Sequence, residues 1–148
     1  MASPTHAGTL CYRRSEAGAL EFLLVRTSRG DRWVIPKGRI DPGEKSWEAA
    51  ARETVEESGW YGPIDARELL RFRYFKPRRG REDEVVVHLL AAAGHRAPHE
   101  RRAQCWASPD DARRRLAEGR SPRHASELAA VIDRGVAALG ETPREPGA

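Results

Sequence analysis

Three glutamates, Glu53, Glu56 and Glu57, follow one another at helical spacing in the middle of the chain. A helix turns by about 100° per residue, so positions i, i+3 and i+4 place the three carboxylates on one face. One interpretation is a solvated acidic face. The other is a site for a hard divalent cation, which takes oxygen ligands. In that case Glu53 and Glu57 bind the ion one turn apart, and Glu56 lies beside the attacking water.

The residues on either side of these glutamates predict a helix that follows a loop. Ser46 is the predicted N-cap, the helix runs to about Ser58, and Gly59 takes the C′ position. The loop from Pro36 to Gly43 offers backbone carbonyls, and Glu44 lies at the helix entrance. The apolar stripe predicts a core-facing side of the helix opposite the glutamates, made of Trp47, Ala51, Thr54, Val55 and Ser58.

The same segment resembles the signature of the Nudix hydrolase family, G-x5-E-x7-R-E-U-x-E-E-x-G-U, where U is an apolar residue. Every charged and glycine position of the signature is filled. Thr54 at an apolar position is a mild departure that bears on packing and not on chemistry. The matching residues are Gly38, Glu44, Arg52, Glu53, Thr54, Val55, Glu56, Glu57, Ser58, Gly59 and Trp60.

The resemblance extends over most of the chain, through residues 7–13, 23–38 and 105–116. Residues 28–38 are similar to the subgroup that hydrolyses diphosphoinositol polyphosphates and diadenosine polyphosphates. The resemblance implies an α/β fold, the Nudix α/β/α sandwich, with a mixed sheet between helices.

The resemblance also implies a metal cofactor, which is Mg²⁺ with Mn²⁺ as an alternative. Glu53 and Glu57 are its implied ligands, together with a backbone carbonyl at Lys37 or Gly38. Such a metal neutralises phosphate oxygens and lowers the pKa of the attacking water.

Three further residues of the signature receive catalytic roles from the resemblance. Glu56 is the implied general base, and Arg52 orients the neighbouring carboxylates together with Glu44. Because members of the family differ in which glutamate is the base, that assignment stays open. Glu100, in a later loop, is either a further carboxylate near the metal or a surface acid.

Basic and polar residues near the signature are the predicted substrate-binding residues. Phosphoryl transfer depends on positioning and charge stabilisation, and arginine binds phosphate oxygens in a bidentate manner. For any single arginine, a solvated surface charge is the alternative. The predicted set is Ser28, Arg29, Lys37, Arg39, Arg79 and Arg81.

The resemblance implies Mg²⁺-dependent hydrolysis of a phosphoanhydride bond in a small polyphosphorylated metabolite, either a diadenosine polyphosphate or a diphosphoinositol polyphosphate. An ADP-ribose, nucleotide-sugar or nucleoside triphosphate pyrophosphatase is the alternative, because the signature handles the diphosphate while other loops select the rest. A Nudix-fold sensor that binds its ligand without hydrolysis is the non-enzymatic alternative, although all three glutamates are present.

The remaining elements are predicted from turn signals and apolar runs. Residues 9–12 and 20–25 form a hairpin, and residues 33–35 form a short strand. Residues 69–75 and 84–92 form two more strands, which the basic segment 76–83 joins. Ser108 caps a helix over 109–117, a last helix covers 125–139, and His88 is a hydrogen-bonded core histidine.

Composition limits the classes of protein that the chain can belong to. Its 148 residues predict a single domain, with about residues 1–4 and 141–148 frayed. Neither a secretory signal nor a membrane span is visible, and Cys11 and Cys105 are expected to be reduced thiols in the cytoplasm. The net charge of +4 comes mostly from arginines spread along the chain, and it favours an anionic partner without choosing among them. A basic nucleic-acid-binding module is an alternative that the charge and the Arg78 to Arg81 cluster favour, but it leaves the stacked glutamates unexplained, so nucleic acid is not the expected partner. Oligomeric state stays open.

Overall fold

A computed structural model describes residues 4–76 and 80–140. In chain order its elements are β1 (His6–Arg14), β2 (Leu20–Arg26), β3 (Trp33–Val34), β4 (Lys37–Arg39), α1 (Ser46–Ser58), β5 (Trp60–Tyr61), β6 (Leu70–Lys76), β7 (Arg81–Ala91), β8 (Gly94–His95), β9 (Gln104–Ala107), α2 (Pro109–Ala117) and α3 (Pro122–Ala138).

The main sheet is mixed, as predicted. Its strands follow the order β3-β2-β1-β7-β6, with β4 paired to β1 and β9 paired to β2. Strands β1 and β7 run parallel, and the other pairings are antiparallel. Strands β5 and β8, which the sequence did not predict, form a separate two-stranded sheet. Strand β4 lies inside the segment predicted as a loop, and its pairing with β1 fixes that loop against the sheet.

The two faces of the sheet are covered by different helices. Because side chains alternate along a strand, Leu10 of β1 packs with α2 and α3 while Ala7 packs with α1. On β2, Phe22 belongs to the α2 and α3 side, and Leu23 lies in a cluster on the α1 side. Helices therefore lie on both faces of the sheet, which confirms the predicted α/β/α sandwich.

Helix α1 has the predicted bounds, but its first turn differs from the prediction. Lys45 and not Ser46 is the N-cap, with extended backbone and a capping box to Glu48. The Ser46 hydroxyl forms a 2.9 Å hydrogen bond with Nε2 of buried His88, which confirms His88 as a hydrogen-bonded core histidine. Gly59 ends the helix at φ 84°, as predicted.

The buried face of α1 is rotated from the predicted one. Thr54 and Ser58 are fully buried as expected, and Thr54 Oγ1 forms a 2.7 Å hydrogen bond with Thr9 Oγ1, so the hydroxyl at the apolar position of the signature is satisfied. Glu57 was placed on the solvent side, and that was wrong, because its exposed fraction is 1%. The residues of the predicted stripe that are only half-buried are Trp47, Ala51 and Val55.

The other predicted helices and strands are present in the structure, but some of them begin or end at different residues. The hairpin of β1 and β2 and the Ser108-capped helix α2 are confirmed. Helix α3 begins three residues before the predicted start, because Ser121 caps it and Pro122 takes its first position. Strands β6 and β7 extend to Lys76 and from Arg81, so both enter the segment predicted as a loop. Among the described residues, none of the helices combines the length and the apolar composition of a membrane span.

Candidate active site

Arg52 is the centre of an ion-pair cluster at the entrance of α1. Its Nε and Nη2 atoms donate to the two carboxylate oxygens of Glu44, both at 2.9 Å, and Nη1 donates to Glu53 Oε1 at 2.8 Å. Nη2 also donates to the carbonyl of Arg39 at 3.0 Å, and Nη1 lies 3.6 Å from Glu56 Oε2. One guanidinium therefore fixes two glutamates and the backbone of β4 relative to one another.

Glu44 is held in its charged form by this cluster. The hydrogen bonds from Arg52 and from the backbone N–H of Asp41 lower the pKa of Glu44 to about 2. The same contacts raise the pKa of Arg52. The structure thus brings together Arg52 and Glu44 as the sequence predicted, and the pair closes the loop that leads into α1.

Glu57 lies at the other end of the site in a buried setting. Its Oε2 accepts a hydrogen bond from the backbone N–H of Lys37 at 3.2 Å, and its Oε1 lies 3.0 Å from Nη1 of Arg102. Burial raises the pKa of Glu57 to about 8, and nearby Glu53 and Glu100 add to this, although Arg102 and Lys37 oppose it. The carboxyl group therefore lacks full charge compensation.

Glu53 lies between these two ends and is positioned by a glycine. A Cβ atom on Gly38 would come 2.1 Å from Glu53 Cδ, so only a glycine leaves room for this carboxylate against β4. Burial is the largest cause that raises the pKa of Glu53, with Glu56 and Glu100 acting in the same direction. The glycine that opens the signature thus permits the close approach of a metal-ligand candidate to the backbone.

The loop before β9 completes the site. The backbone N–H of Glu100 donates to the carbonyl of Glu56 at 2.8 Å, and Arg102 Nε donates to Glu100 Oε2 at 2.6 Å. Arg102 also donates through Nη1 to the carbonyl of Arg26 at 3.3 Å. Sequence reasoning missed Arg102, which lies in a separate loop. The signal available in the sequence was that a buried glutamate requires a cationic partner. That signal does not identify which arginine is the partner.

The donor set of this site fits a divalent cation. Glu53 and Glu57 are poorly hydrated carboxyl groups with raised pKa values, and the charge of Glu53 helps to raise the pKa of Glu57, so an added cation would relieve both. Within residues 4–76 and 80–140, no three acidic, histidine or cysteine side chains converge on one point. Mg²⁺ does not need three, because it is commonly held by one or two carboxylates plus phosphate oxygens.

The predicted substrate-binding residues are only partly brought together. Lys37 adjoins the carboxylates through its backbone, and the carbonyl of Arg39 binds Arg52. Ser28 and Arg29 are exposed in the loop between β2 and β3, and no described contact links them to the carboxylates. Arg79 and the side chain of Arg81 lie outside the described residues.

Comparisons with known proteins agree with this geometry. The family model of the NUDIX domain matches residues 4–129. The chain is 34% identical over 103 residues to the asymmetrical bis(5'-nucleosyl)-tetraphosphatase of Rattus norvegicus, which covers 63% of this chain and 67% of that protein. It is 42% identical over 59 residues to the diphosphoinositol polyphosphate phosphohydrolase 2 of the same species, which covers 39% of this chain and 32% of that protein.

A solved structure extends the similarity to the whole fold. The Ap4A hydrolase of Caenorhabditis elegans in a binary complex superposes with a TM-score of 0.69 at 26% identity, and the match covers 93% of this chain and 98% of the other. In sequence, the chain spans only 38% of the length of the curated tetraphosphatase from that nematode. The named relatives are hydrolases that act on pyrophosphate bonds, and this chain belongs to their family, the Nudix family.

Proposed function

We propose that this protein is a hydrolase that cleaves a phosphoanhydride bond of a diadenosine polyphosphate or a diphosphoinositol polyphosphate in a Mg²⁺-dependent reaction. The observation that carries the proposal is the position of Glu53 and Glu57, two poorly compensated carboxyl groups on one face of α1 beside Gly38. The proposal is supported by two relatives with these substrates in their names, which match this chain at 34% identity over 103 residues and at 42% identity over 59 residues.

Glu53 and Glu57 are the proposed ligands of Mg²⁺, or of Mn²⁺ in its place, with the Gly38 carbonyl as a further oxygen. The ion supplies charge neutralisation of the phosphates and a lowered pKa of the attacking water. The protein's own contribution is to hold the carboxylates in position. Arg52 holds Glu53 through a 2.8 Å hydrogen bond, and Arg102 with the Lys37 N–H holds Glu57.

Glu56 is the proposed general base. Its side chain is 38% exposed, compared with 16% for Glu53 and 2% for Glu57, so it is the most open of the three to water. Arg52 lies 3.6 Å from one of its oxygens and orients it without closing off the other. Glu44 acts indirectly, because it holds the Arg52 guanidinium in position.

The basic residues around the carboxylates are the proposed phosphate contacts. The backbone N–H of Lys37 donates to Glu57, and the positive charge of Lys37 opposes the raised pKa of Glu57, which supports Lys37 as a phosphate contact. The other predicted substrate-binding residues also remain proposed phosphate contacts: Ser28, Arg29, Arg39, Arg79 and Arg81. We also propose a cytoplasmic location, because Cys11 and Cys105 are both free thiols.

A substrate panel tests this function. Phosphate or nucleotide release is measured for diadenosine tetraphosphate, a diphosphoinositol polyphosphate, ADP-ribose and a nucleoside triphosphate, each with Mg²⁺ and with a chelator. We expect the highest kcat/KM with one of the first two substrates and loss of turnover with the chelator. Equal turnover with the chelator, or a preference for ADP-ribose, would contradict the proposal. Binding without turnover of any substrate would identify a sensor instead.

A further inference from the structure

Helix α1 is held on the sheet by small apolar side chains and by hydrogen bonds. The buried apolar residues of the helix are Ala49 and Ala50, which pack against Ala7 of β1 and Val86 of β7. Apolar contacts of this kind are non-directional, so they leave the rotation of the helix and its shift along its axis weakly defined. Directional hydrogen bonds therefore contribute to the position of the glutamates that the helix carries.

Thr9 of β1 provides one such hydrogen bond. Thr9 and Thr54 are both fully buried, and their Oγ1 atoms lie 2.7 Å apart. Thr54 Oγ1 also donates to the carbonyl of Ala50 at 2.8 Å. Because a hydroxyl group has only one proton to donate, Thr9 is the donor of the pair and Thr54 is the acceptor. The Thr9 hydroxyl therefore holds the helix at the residue that directly follows Glu53.

The backbone of Thr9 contacts the other half of the candidate active site. Its N–H donates to the carbonyl of Pro36 at 3.0 Å, one residue before β4 begins. Two residues earlier on β1, Ala7 pairs with Gly38 of β4. Thr9 is therefore bonded both to the helix that carries the glutamates and to the start of the segment that carries the proposed carbonyl ligand.

The helix and β4 are packed so closely that a small displacement would change their contacts. A Cβ atom on Gly38 would overlap the Glu53 carboxylate, and the Lys37 N–H donates to Glu57 Oε2 at 3.2 Å. A shift of the helix relative to β4 changes both of these contacts, and it also changes the distance between the carboxylates and the Gly38 carbonyl.

Other hydrogen bonds hold the two ends of α1. At the first turn the Ser46 hydroxyl lies 2.9 Å from Nε2 of His88, and at the last turn the Ser58 carbonyl accepts from Nε2 of Gln104 at 3.2 Å. These contacts remain when the Thr9 hydroxyl is removed, so we expect the helix to stay on the sheet. The effect of removing the hydroxyl is then on the exact position of the helix.

We propose that Thr9 is a positioning residue for the metal site. Its hydroxyl and its N–H together hold the glutamates of α1 at the distance from β4 at which one divalent cation can bind both. The inference rests on the proposed function, because Glu53, Glu57 and the Gly38 carbonyl are the proposed ligands there. The family signature specifies only an apolar residue at the position of Thr54, so the signature does not imply this hydrogen bond.

Two substitutions of Thr9 separate the hydrogen bond from the shape of the side chain. Thr9→Val keeps the shape and loses the donor, whereas Thr9→Ser keeps the donor and loses a buried methyl group, which lowers Tm. Binding of Mn²⁺ without substrate is measured by EPR spectroscopy, beside thermal melts of the same samples. We expect the Mn²⁺ Kd to rise about three- to tenfold in Thr9→Val and less than about twofold in Thr9→Ser, since residues that orient metal ligands affect affinity in this way. A Kd that follows Tm, or an unchanged Kd in Thr9→Val, would overturn the proposal.

Substitution of Thr54 tests the same hydrogen bond from the helix side. Thr54→Val leaves the buried Thr9 hydroxyl without its acceptor and should lower Tm, whereas Thr9→Val/Thr54→Val removes both polar groups and should recover part of the loss. The Mn²⁺ Kd should stay raised in the double variant, and recovery of Kd together with Tm would contradict the positioning role. Val131→Thr makes the reverse exchange on α3, at the opposite face of the sheet, and is the control that lowers Tm without changing Kd.

Amide exchange at Lys37 gives a readout that needs no metal. Its N–H donates to Glu57, so displacement of the helix from β4 should speed its exchange relative to the Val131→Thr control. We expect about tenfold faster exchange in Thr9→Val, as for loss of one hydrogen bond, and little change in Thr9→Ser. This exchange pattern without Mn²⁺ binding by any variant would support the positioning of the carboxylates and remove the proposed metal-dependent function. Metal-dependent hydrolysis by a Thr9→Val variant that matches the wild type in Kd and exchange would keep the function and overturn the role of Thr9.

Discussion

Helix α1 has one arginine–carboxylate pair near each of its two ends, and the pKa values of the two carboxyl groups are shifted in opposite directions. At the entrance, the two hydrogen bonds from Arg52 lower the pKa of Glu44 to about 2. At the other end, burial raises the pKa of Glu57 to about 8 despite Arg102 at 3.0 Å. The same types of partner therefore give opposite results, and loss of hydration decides which one.

The difference in pKa indicates that the Arg52–Glu44 pair has a structural role and that the Arg102–Glu57 pair has a binding role. The Arg52–Glu44 pair is charge-compensated and also binds the loop through Asp41 N–H, so it fixes the geometry of the helix entrance. The Arg102–Glu57 pair leaves a buried carboxyl that gains from any further cation. We infer that the buried end holds the metal and that the entrance keeps its ligands in place.

The largest expected effect comes from removing the buried charge. Glu57→Gln keeps the shape of the side chain but takes away a metal ligand, so kcat is expected to fall at least about 10²-fold. Steady-state kinetics with saturating Mg²⁺ measure this. Glu118→Gln, at an exposed acid after α2, is the matched control and should change kcat little. Near-normal turnover in Glu57→Gln would contradict the inference that the buried end of α1 holds the metal.

A smaller loss is expected when the space for Glu53 is filled. Gly38→Ala puts a Cβ atom on the Glu53 carboxylate, which must move away from β4. Displacement of a catalytic group by about 1 Å can reduce the rate as much as 10²-fold, so kcat should fall between about 10- and 100-fold. The Mg²⁺ concentration for half-maximal rate should rise. An unchanged metal titration would mean that Glu53 is not a ligand.

The Arg52–Glu44 pair is expected to affect activity because it holds the neighbouring carboxylates in position. Arg52→Lys keeps the charge but loses the bidentate contact with Glu44, and about a tenfold fall in kcat/KM corresponds to one charge-assisted hydrogen bond. The comparison variant is Arg13→Lys, whose Nε lies 3.1 Å from Glu21 on the far hairpin. If the two substitutions have equal effects, Arg52 has no special positioning role.

Many of the site residues lie within the contiguous signature. Spacing and capping residues predicted the approximate bounds of α1 and the shared face of the glutamates, because these are local, while the role of Arg52 with Glu44 was implied by the family resemblance. Spacing could not predict that Glu57 is buried, since that depends on which segments pack over the helix. Arg102 comes from a separate loop, and its approach to Glu57 is set by tertiary packing, which no local pattern records.

Stability should also distinguish the two ends, with the smallest effects. Above pH 4.5, charged Glu44 stabilises the fold, and that advantage over Glu44→Gln should decline as pH falls toward 2. Glu57 behaves in the opposite way, because its raised pKa makes folding less favourable as pH rises from 4.5 to about 8. In metal-free protein, Glu57→Gln should therefore gain Tm relative to the wild type over that window. Thermal melts across the pH range check both slopes, and slopes of the same sign would contradict the comparison.

Titration of the Glu57 carboxyl by carbon NMR, with and without Mg²⁺, tests the central claim most directly. The signal is assigned from its absence in Glu57→Gln. In metal-free protein the account predicts a pKa of about 8. With saturating Mg²⁺ the carboxyl should stay ionised well below that pH, because the ion stabilises the carboxylate. A pKa that stays near 8 in saturating Mg²⁺ would show that Glu57 binds no metal.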